Sequence, residues 1–250
     1  MYTKDNIREI ELHHIRCLLS EPVKANGFTL FIYHGWGSAP ENQVFLAKIL
    51  SSYGFIVVLP EMIHHSTRNP LANPFDQNVM QTYFWETVIH TVEESNQLFQ
   101  SAIKAGIAQK ENIGLIGSST GGIISSGIFA QNPAIRFFVS INGSPAWVES
   151  ERLWREKDGR GPITEEERQV LAKFDLHNHV DIIQDRPILL LHGSNDSVLS
   201  PIAPKYFYEK MRKKVRDSDI TYSEYRNVDH TISLNMIEEM VNWLIDKATT

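Results

Sequence analysis

The sequence is poor in cysteine and in long apolar runs. Cys17 is the only cysteine among 250 residues, so no disulfide can form within the chain and no cysteine cluster can bind zinc. No stretch approaches the roughly 18 apolar residues of a membrane span, and the amino terminus lacks the apolar core of a signal peptide. We therefore expect a cytoplasmic protein that is not inserted in a membrane.

Basic residues are outnumbered. Lys and Arg total 24 against 30 Asp and Glu, which gives a formal net charge of −6 and removes the electrostatic attraction to nucleic acids and anionic membrane surfaces. The 42% of hydrophobic residues suffices for a large core, so disorder is disfavoured. Since no linker, repeat or low-complexity tract occurs, we expect a single domain over residues 1–250.

Short apolar runs recur along the chain and predict buried strands. They occupy residues 28–33, 55–59, 113–116, 137–141, 188–191 and 220–225. Segments with helical spacing lie at 44–53, 80–105, 123–130, 206–215 and 234–245. This alternation predicts the α/β class, with a mostly parallel sheet and helices on both faces. Residues 7–12 and 15–19 lack an intervening helix, so we expect them to be antiparallel strands that open the sheet.

One segment interrupts the alternation. Residues 143–185 contain no clear strand, and residues 149–175 carry eight acidic and six basic side chains. We interpret this segment as a small helical cap insertion that covers a functional site and sets its chain-length preference. A charged, solvated decoration is the alternative interpretation.

Ser119 is the candidate nucleophile. It lies in the string GSSTGG at 117–122, between a predicted strand and a predicted helix. A serine in such a tight turn projects from the carboxyl end of its strand, and glycines two residues before and after it relieve backbone crowding. The G-x-S-x-G pattern is weak evidence alone, because an ordinary turn can have the same sequence.

A serine nucleophile needs a histidine base and an acid that orients it. Asp196 follows the predicted strand at 188–191, and His230 follows the one at 220–225, so both are expected at the same sheet edge as Ser119. Asp229 is a competing acid, although its position next to His230 directs its side chain elsewhere. The order Ser, Asp, His matches the α/β-hydrolase arrangement.

The reaction also needs two donors for the oxyanion that forms when the hydroxyl attacks a carbonyl. The loop His34, Gly35, Trp36, Gly37 follows the strand at 28–33, and we assign one donor to the Trp36 amide. The other is the amide of Thr120, at a helix amino terminus whose dipole favours negative charge.

Taken together, these motifs resemble α/β-hydrolases, and are most similar to small bacterial esterases related to dienelactone hydrolase and to the catalytic domain of prolyl oligopeptidase. The resemblance covers residues 27–245. It implies an eight-stranded sheet, acyl-enzyme chemistry and no cofactor. The loop at 60–65 looks like the one that borders the acyl pocket in these esterases, while the cap segment and Thr120 depart from many members, so the substrate does not carry over.

His64 and His65 in that loop, with Arg68 nearby, are candidates for binding a substrate carboxylate or phosphate. Trp36, Trp147, Trp154 and Phe75 are candidates for lining an acyl pocket. Ordinary surface and core roles compete with both interpretations. The histidines at 177 and 179 lack a supporting ligand pattern, so no metal site is predicted.

A dinucleotide-binding fingerprint is partly imitated by residues 35–40 with Glu61 downstream. Pro40 and the absent third glycine argue against it. A hydrolase fold used only for binding is a further alternative, which the filled triad positions disfavour.

The sequence thus predicts a serine esterase that acts on a small-molecule ester of small to medium acyl groups. A peptidase or a thioesterase with the same triad stays open, because the pocket decides which carbonyl is cleaved. A prolyl oligopeptidase commonly carries an extra amino-terminal domain, for which 250 residues leave no room, so we favour the esterase. The oligomeric state is not predicted.

Overall fold

One eight-stranded sheet organises the computed structural model, which describes residues 7–183, 186–216 and 219–249. The strands are β1 (Ile7–Leu12), β2 (Ile15–Ser20), β3 (Thr29–Tyr33), β4 (Ile56–Pro60), β5 (Ile113–Ser118), β6 (Ile135–Ile141), β7 (Ile188–Gly193) and β8 (Ile220–Tyr225), in the order β1-β2-β4-β3-β5-β6-β7-β8. Strand β2 pairs antiparallel with β1 and β4, and the other neighbours are parallel. The predicted sheet, including its antiparallel opening, is confirmed.

Helices cover both faces of this sheet. They are α1 (Val44–Ser52), α2 (Gln77–Lys104), α3 (Thr120–Gln131), α4 (Trp147–Asp158), α5 (Glu165–Ala172), α6 (Ile202–Met211) and α7 (Leu234–Thr249), with short 3-10 turns at Pro40–Gln43, Leu176–Asn178 and Val180–Ile182. Helices α1 and α7 pack into the apolar layer on one face, and α2, α3 and α6 into that on the other. In these three described ranges, no helix is both long and apolar enough to cross a bilayer.

Helix α6 starts and ends four residues before the predicted 206–215. Pro201 lies at its N-cap with a φ of −64°, a value that proline fixes and that suits a helix start. The hydroxyl of Ser200 accepts from the amide of Ile202 at 3.3 Å. At the other end the chain turns, with the amide of Val215 donating to Met211. Val215 therefore packs on the core from a turn. Its apolar side chain fitted the helical spacing, so the sequence pattern predicted a helix that extends too far.

The segment 143–185 supplies helices α4 and α5 and is anchored in the core. Its buried apolar side chains, among the described residues, are Ala146, Trp147, Leu171, Phe174, Leu176 and Ile183. Helix α4 ends at Gly159, which has a φ of 66°, and α5 begins with a capping box between Thr164 and Glu167, a pattern that satisfies the first amides of a helix. The division into one domain with a cap stays a prediction.

Candidate active site

Ser119 lies at the junction of β5 and α3 in an unusual backbone conformation. Its φ is 55° and its ψ −121°, a region that costs a residue other than glycine of the order of 1–3 kcal/mol. A Cβ atom at Gly117 would collide with the backbone of Gly121, and one at Gly121 with the carbonyl of Tyr33. Both glycines are therefore required for the tight turn that lifts the serine hydroxyl above the sheet edge.

Three side chains from three loops form a hydrogen-bonded row. Oγ of Ser119 lies 2.9 Å from Nε2 of His230, and Nδ1 of His230 lies 2.7 Å from Oδ2 of Asp196. The Asp196 side chain is fully buried, whereas that of His230 is 21% exposed. Since a carboxylate only accepts, Nδ1 of His230 carries the proton and Nε2 is free to accept from the serine hydroxyl. The structure thus brings together the three residues that the sequence selected.

The carboxylate of Asp196 is held by four donors. Its Oδ1 accepts from the amides of Val198 at 2.9 Å and Leu199 at 2.8 Å, while Oδ2 lies near His230 and 3.1 Å from Nε2 of the buried His192. Burial alone would raise the pKa of Asp196, but the hydrogen bonds from His192 and His230 hold it well below its usual range. This carboxylate is therefore ionised at neutral pH.

Two further side chains join the loops that carry the row. Oδ1 of Asp229 accepts from the amide and hydroxyl of Ser197 and from the amide of His230. The amide group of Asn142 donates to the carbonyl of Thr231 at 2.8 Å and accepts from the amide of Gly193 at 3.0 Å. Asp229 thus braces the acid loop against the histidine loop and does not compete with Asp196 for the imidazole.

Sequence reasoning gave no role to Asn142 or His192. The signal for His192 was its place beside a glycine at the end of β7, four residues before Asp196. Asn142 had a weaker signal, a polar residue directly after β6, and its φ of 49° suits asparagine better than most other residues.

The oxyanion loop is supported by two buried histidines. Nε2 of His65 accepts from the amide of Gly37 at 3.0 Å, and Nδ1 donates to the carbonyl of Ile63 at 2.9 Å. His34 donates from Nδ1 to the carbonyl of Gly35 at 2.9 Å. Nε2 of His34 accepts from the amide of Met62 at 3.5 Å. A ring that accepts through one nitrogen must be neutral, and burial lowers the pKa of His65 and lowers that of His34 to about 4.

The two residues that carry the predicted oxyanion donors belong to segments that adjoin Ser119. Gly35 brings the loop against the nucleophile, since a Cβ on it would lie 3.5 Å from that of Ser119. The indole nitrogen of Trp36 donates to the carbonyl of Pro74 at 2.7 Å, which fixes the loop from outside. Thr120 is the first residue of α3, where a helix leaves its amides without intrahelical acceptors. The amides of Trp36 and Thr120 have no acceptor among the described residues.

Two of the predicted substrate-binding side chains have partners inside the protein. Nε2 of His64 lies 3.2 Å from Glu86. Arg68 donates from both terminal nitrogens to Glu94, at 2.9 and 2.8 Å, and to the carbonyl of Glu61 at 2.7 Å. These contacts tie the loop after β4 to helix α2, and neither side chain lines the cavity at Ser119.

His65 and Trp147 also have structural contacts in place of the predicted ones. His65 supports Gly37 and does not line the cavity. Trp147 is completely buried, and its indole nitrogen lies 3.2 Å from the carbonyl of Ile123 and 3.0 Å from the hydroxyl of Ser126. Trp147 is therefore a core residue beneath the cavity, and the prediction that it lines an acyl pocket is wrong.

A cavity of about 430 Å³ adjoins Ser119 and His230. Its walls come from the oxyanion loop, the start of α2, helix α4 and the loop after Asp196. The lining side chains with apolar surface are Trp36, Phe75, Met80, Phe84, Trp85, Ile123, Trp154, Val198 and Leu199. Its size and apolar walls are typical of a site for a small organic molecule.

A buried carboxylate closes one side of this cavity. Glu151 accepts from the indole nitrogen of Trp85 at 2.8 Å, from Arg155 at 2.7 Å and from Arg160 at 2.9 Å. Nε of Arg160 also lies 3.3 Å from Asp158. This network fixes α4 against α2. Within the described ranges, no three His, Cys, Asp or Glu side chains are grouped closely enough to hold a metal ion.

Comparison with known sequences adds a family and two relatives. The sequence profile of the prolyl oligopeptidase family matches residues 86–248. YitV of Bacillus subtilis (strain 168), whose name describes a candidate esterase, is 30% identical over 234 residues, or 88% of this chain and 89% of that protein. The esterase YjfP of Escherichia coli (strain K12) is 24% identical over 247 residues, or 95% and 97%.

Two solved structures share the architecture. TT1662 from Thermus thermophilus has a TM-score of 0.82 at 15% identity and covers 99% of this chain and 100% of its own. The acylaminoacyl peptidase of Pyrococcus horikoshii has a TM-score of 0.70 at 15% identity, over 98% of this chain and 41% of its own. At this identity the likeness concerns the fold.

Proposed function

Because the chain belongs to the prolyl oligopeptidase family, we propose that it is a serine esterase that hydrolyses carboxylic esters of small to medium acyl groups. The α/β-hydrolase fold predicted from the sequence is confirmed, and the relatives named as esterases indicate a hydrolase. One observation carries the finer proposal: Ser119, His230 and Asp196 are linked at 2.9 and 2.7 Å beside an apolar cavity.

In the proposed reaction, Oγ of Ser119 attacks the acyl carbonyl while Nε2 of His230 takes the hydroxyl proton. The carbonyl oxygen becomes an oxyanion that accepts from the amides of Trp36 and Thr120. His230 then gives the proton to the departing alcohol oxygen as the ester C–O bond breaks, which leaves an acyl-serine. A water molecule then attacks this acyl group as His230 takes its proton. His230 returns that proton to Oγ of Ser119 as the acyl–oxygen bond breaks, which releases the acid and free Ser119.

The surroundings favour each charge that develops on this path. The ionised Asp196 stabilises the imidazolium form of His230 after proton transfer. The amino terminus of α3 points its partial positive charge at the oxyanion. The hydrogen bonds that Gly37 donates to His65 and that the Trp36 indole donates to Pro74 hold this loop in place before substrate arrives, so little reorganisation is needed in the transition state. These steps use the chain's own groups and water, and need no cofactor.

The first test treats the protein with a fluorophosphonate probe and locates the adduct by peptide mass spectrometry. We expect labelling at Ser119 that disappears in Ser119→Ala, together with loss of hydrolysis of short-chain methyl esters. Ser52→Ala is the matched control, because that serine is exposed on α1 and only donates to the carbonyl of Ile49. Labelling that persists in Ser119→Ala would refute the assigned nucleophile.

A Ser-His-Asp triad can serve the cleavage of ester, thioester and amide carbonyls, so the preference for esters needs its own test. We expect kcat/KM to be higher for an ester than for the amide with the same acyl group. A clear preference for the amide would make the protein a peptidase, and a preference for the thioester would make it a thioesterase.

Replacing exposed residues of the segment 143–185 is expected to change chain-length preference if that segment acts as a cap.

A further inference from the structure

The cavity next to Ser119 contains an ordered cluster of aromatic rings. Phe84 lies at its centre, with ring centroids 5.6 Å from Trp36, 5.2 Å from Trp85 and 4.9 Å from Trp154. The contacts with Trp85 and Trp154 are edge-to-face, at interplanar angles of 86° and 82°. Such geometry is favoured by the quadrupoles of aromatic rings. These four rings, called the aromatic cluster below, come from the oxyanion loop, α2 and α4.

Apolar side chains line the cavity from its mouth to its base. Phe75, Met80 and Val198 are 68%, 37% and 53% exposed and mark the open side. Phe84 is 9% exposed and Ile123 is completely buried, so they form the base. Phe75 also lies directly over Gly37, where a Cβ would collide with its ring. A group that enters between these walls therefore exchanges water for ring surfaces close to the reacting carbonyl.

Among the charged side chains that border the cavity, Glu151, Asp158 and Arg160 have partners of opposite charge, and Lys157 has a neutral one. Glu151 accepts from Trp85 and from two arginines, and Asp158 lies 3.3 Å from Arg160. The ammonium group of Lys157 donates to the carbonyl of Ser197 at 2.6 Å. Lys157 is exposed at the edge of the cavity and its printed bond is to a neutral carbonyl, so the part of the lining without an unpaired charge is the part formed by the rings. A charged group placed among the rings would lose water without gaining a counter-ion.

From these observations we propose that the preferred substrates are neutral esters that carry an aromatic ring, which packs edge-to-face in the aromatic cluster. This inference rests on the proposed esterase function and narrows its substrate class. An aromatic pair adds about 0.5–1.5 kcal/mol beyond the area it buries, which corresponds to a factor of about 2–10 in kcat/KM. A saturated ring of equal carbon number gains only the burial.

The test compares esters that have the same number of carbon atoms. In the acyl series the substrates are methyl 3-phenylpropanoate, methyl 3-cyclohexylpropanoate and methyl nonanoate. In the alcohol series they are the acetates of 3-phenylpropanol, 3-cyclohexylpropanol and nonanol. We expect kcat/KM for the phenyl ester to exceed that of both partners by about two- to tenfold in at least one series. Equal or lower values in both series would overturn the proposal.

Variants identify the source of the preference. Trp154→Leu removes one ring of the cluster from partly exposed helix α4 and is expected to reduce the phenyl-to-cyclohexyl ratio toward one. Trp243→Leu is the matched control, because Trp243 lies on α7 against Phe137, away from the cavity. A methyl ester with a carboxylate on the phenyl ring is expected to react about tenfold more slowly than the neutral ester. An unchanged ratio in Trp154→Leu would contradict the assigned pocket.

A binding measurement separates this proposal from the esterase proposal. The Ser119→Ala protein cannot form an acyl-serine, and its binding of the intact phenyl and cyclohexyl esters can be followed by tryptophan fluorescence. We expect tighter binding of the phenyl ester, even if the wild-type protein proves to hydrolyse neither. Hydrolysis of all esters without a phenyl preference, and equal binding to Ser119→Ala, would leave the esterase intact and refute the aromatic preference.

Discussion

Nε2 of His192 lies 3.1 Å from Oδ2 of Asp196, the same oxygen that receives the hydrogen bond from His230. His192 also lies 2.9 Å from the carbonyl of Leu199. A carbonyl only accepts, so this nitrogen carries a proton and donates. His192 is therefore a positioning residue that orients the acid through its carboxylate and fixes the loop on which it lies.

We predict that His192→Phe lowers kcat by about 10- to 100-fold with little change in KM, because a hydrogen bond to a charged group contributes about 1.5–3 kcal/mol. His192→Gln places an amide donor at a similar distance and is expected to restore most of the activity. Steady-state kinetics together with the rate of fluorophosphonate labelling check this. A loss of folding in both variants, or equal activity in both, would argue against a role through Asp196.

The two aspartates near His230 are predicted to differ sharply. Asp196→Asn removes the charge that stabilises the imidazolium and is expected to lower kcat by about 10⁴-fold, a magnitude typical of this change in a catalytic triad. Asp229→Asn retains an acceptor for Ser197 and should cost no more than about tenfold. Circular dichroism of both proteins controls for folding. Comparable losses in the two variants would contradict the assignment of the acid.

His65 is predicted to act on the rate and not on binding. His65→Leu leaves the amide of Gly37 without its acceptor, which loosens the loop that carries the Trp36 amide. Since one oxyanion donor is worth about 2.7–4 kcal/mol, partial displacement is expected to lower kcat by about tenfold or more. His65→Gln supplies an oxygen acceptor and should recover part of this loss at unchanged KM. A rise in KM alone would return His65 to the predicted substrate-binding role.

Stability is predicted to fall at mildly acidic pH because of His34. Burial lowers its folded-state pKa from 6.5 to about 4, so the unfolded chain binds the proton more tightly than the folded one. The contribution is fully present above pH 6.5 and is lost as pH falls toward 4, by about 3 kcal/mol in total. Urea unfolding between pH 4.5 and 7.5 should show a steeper pH dependence for the wild type than for His34→Gln. Parallel curves would contradict this origin.

The sequence predicted the architecture because its evidence was periodic and local. Alternating strands and helices, with turns at their junctions, were visible in runs such as 113–116 and 123–130. The prediction of helix bounds was wrong where an apolar residue packs on the core from a turn instead of from a helix. Val215 lies in a turn after α6, although it fits the helical spacing of apolar residues. The start of α6 is marked by Pro201, which lies outside that spacing pattern.

The candidate site divides in the same way. Ser119, Asp196 and His230 each follow a parallel strand, so strand order alone predicts that they share one sheet edge. The roles of His64 and Arg68 depended on partners from the distant helix α2, Glu86 and Glu94, which no local pattern reveals. Residue type showed that these side chains could bind a carboxylate or a phosphate. It could not show that carboxylates of the protein itself already occupy them.

Helix α3 begins at Thr120, directly after the proposed nucleophile, and is buried along nearly its whole length, from Thr120 to Ala130. A segment enclosed on every side accepts few substitutions, because any change of volume must be absorbed by close-packed neighbours. The rim, with Phe75, Met80 and Val198, is exposed and free of that constraint. Substitutions that change the substrate range should therefore accumulate at the rim in descendants of this protein. The helix that follows the reacting serine should change much less.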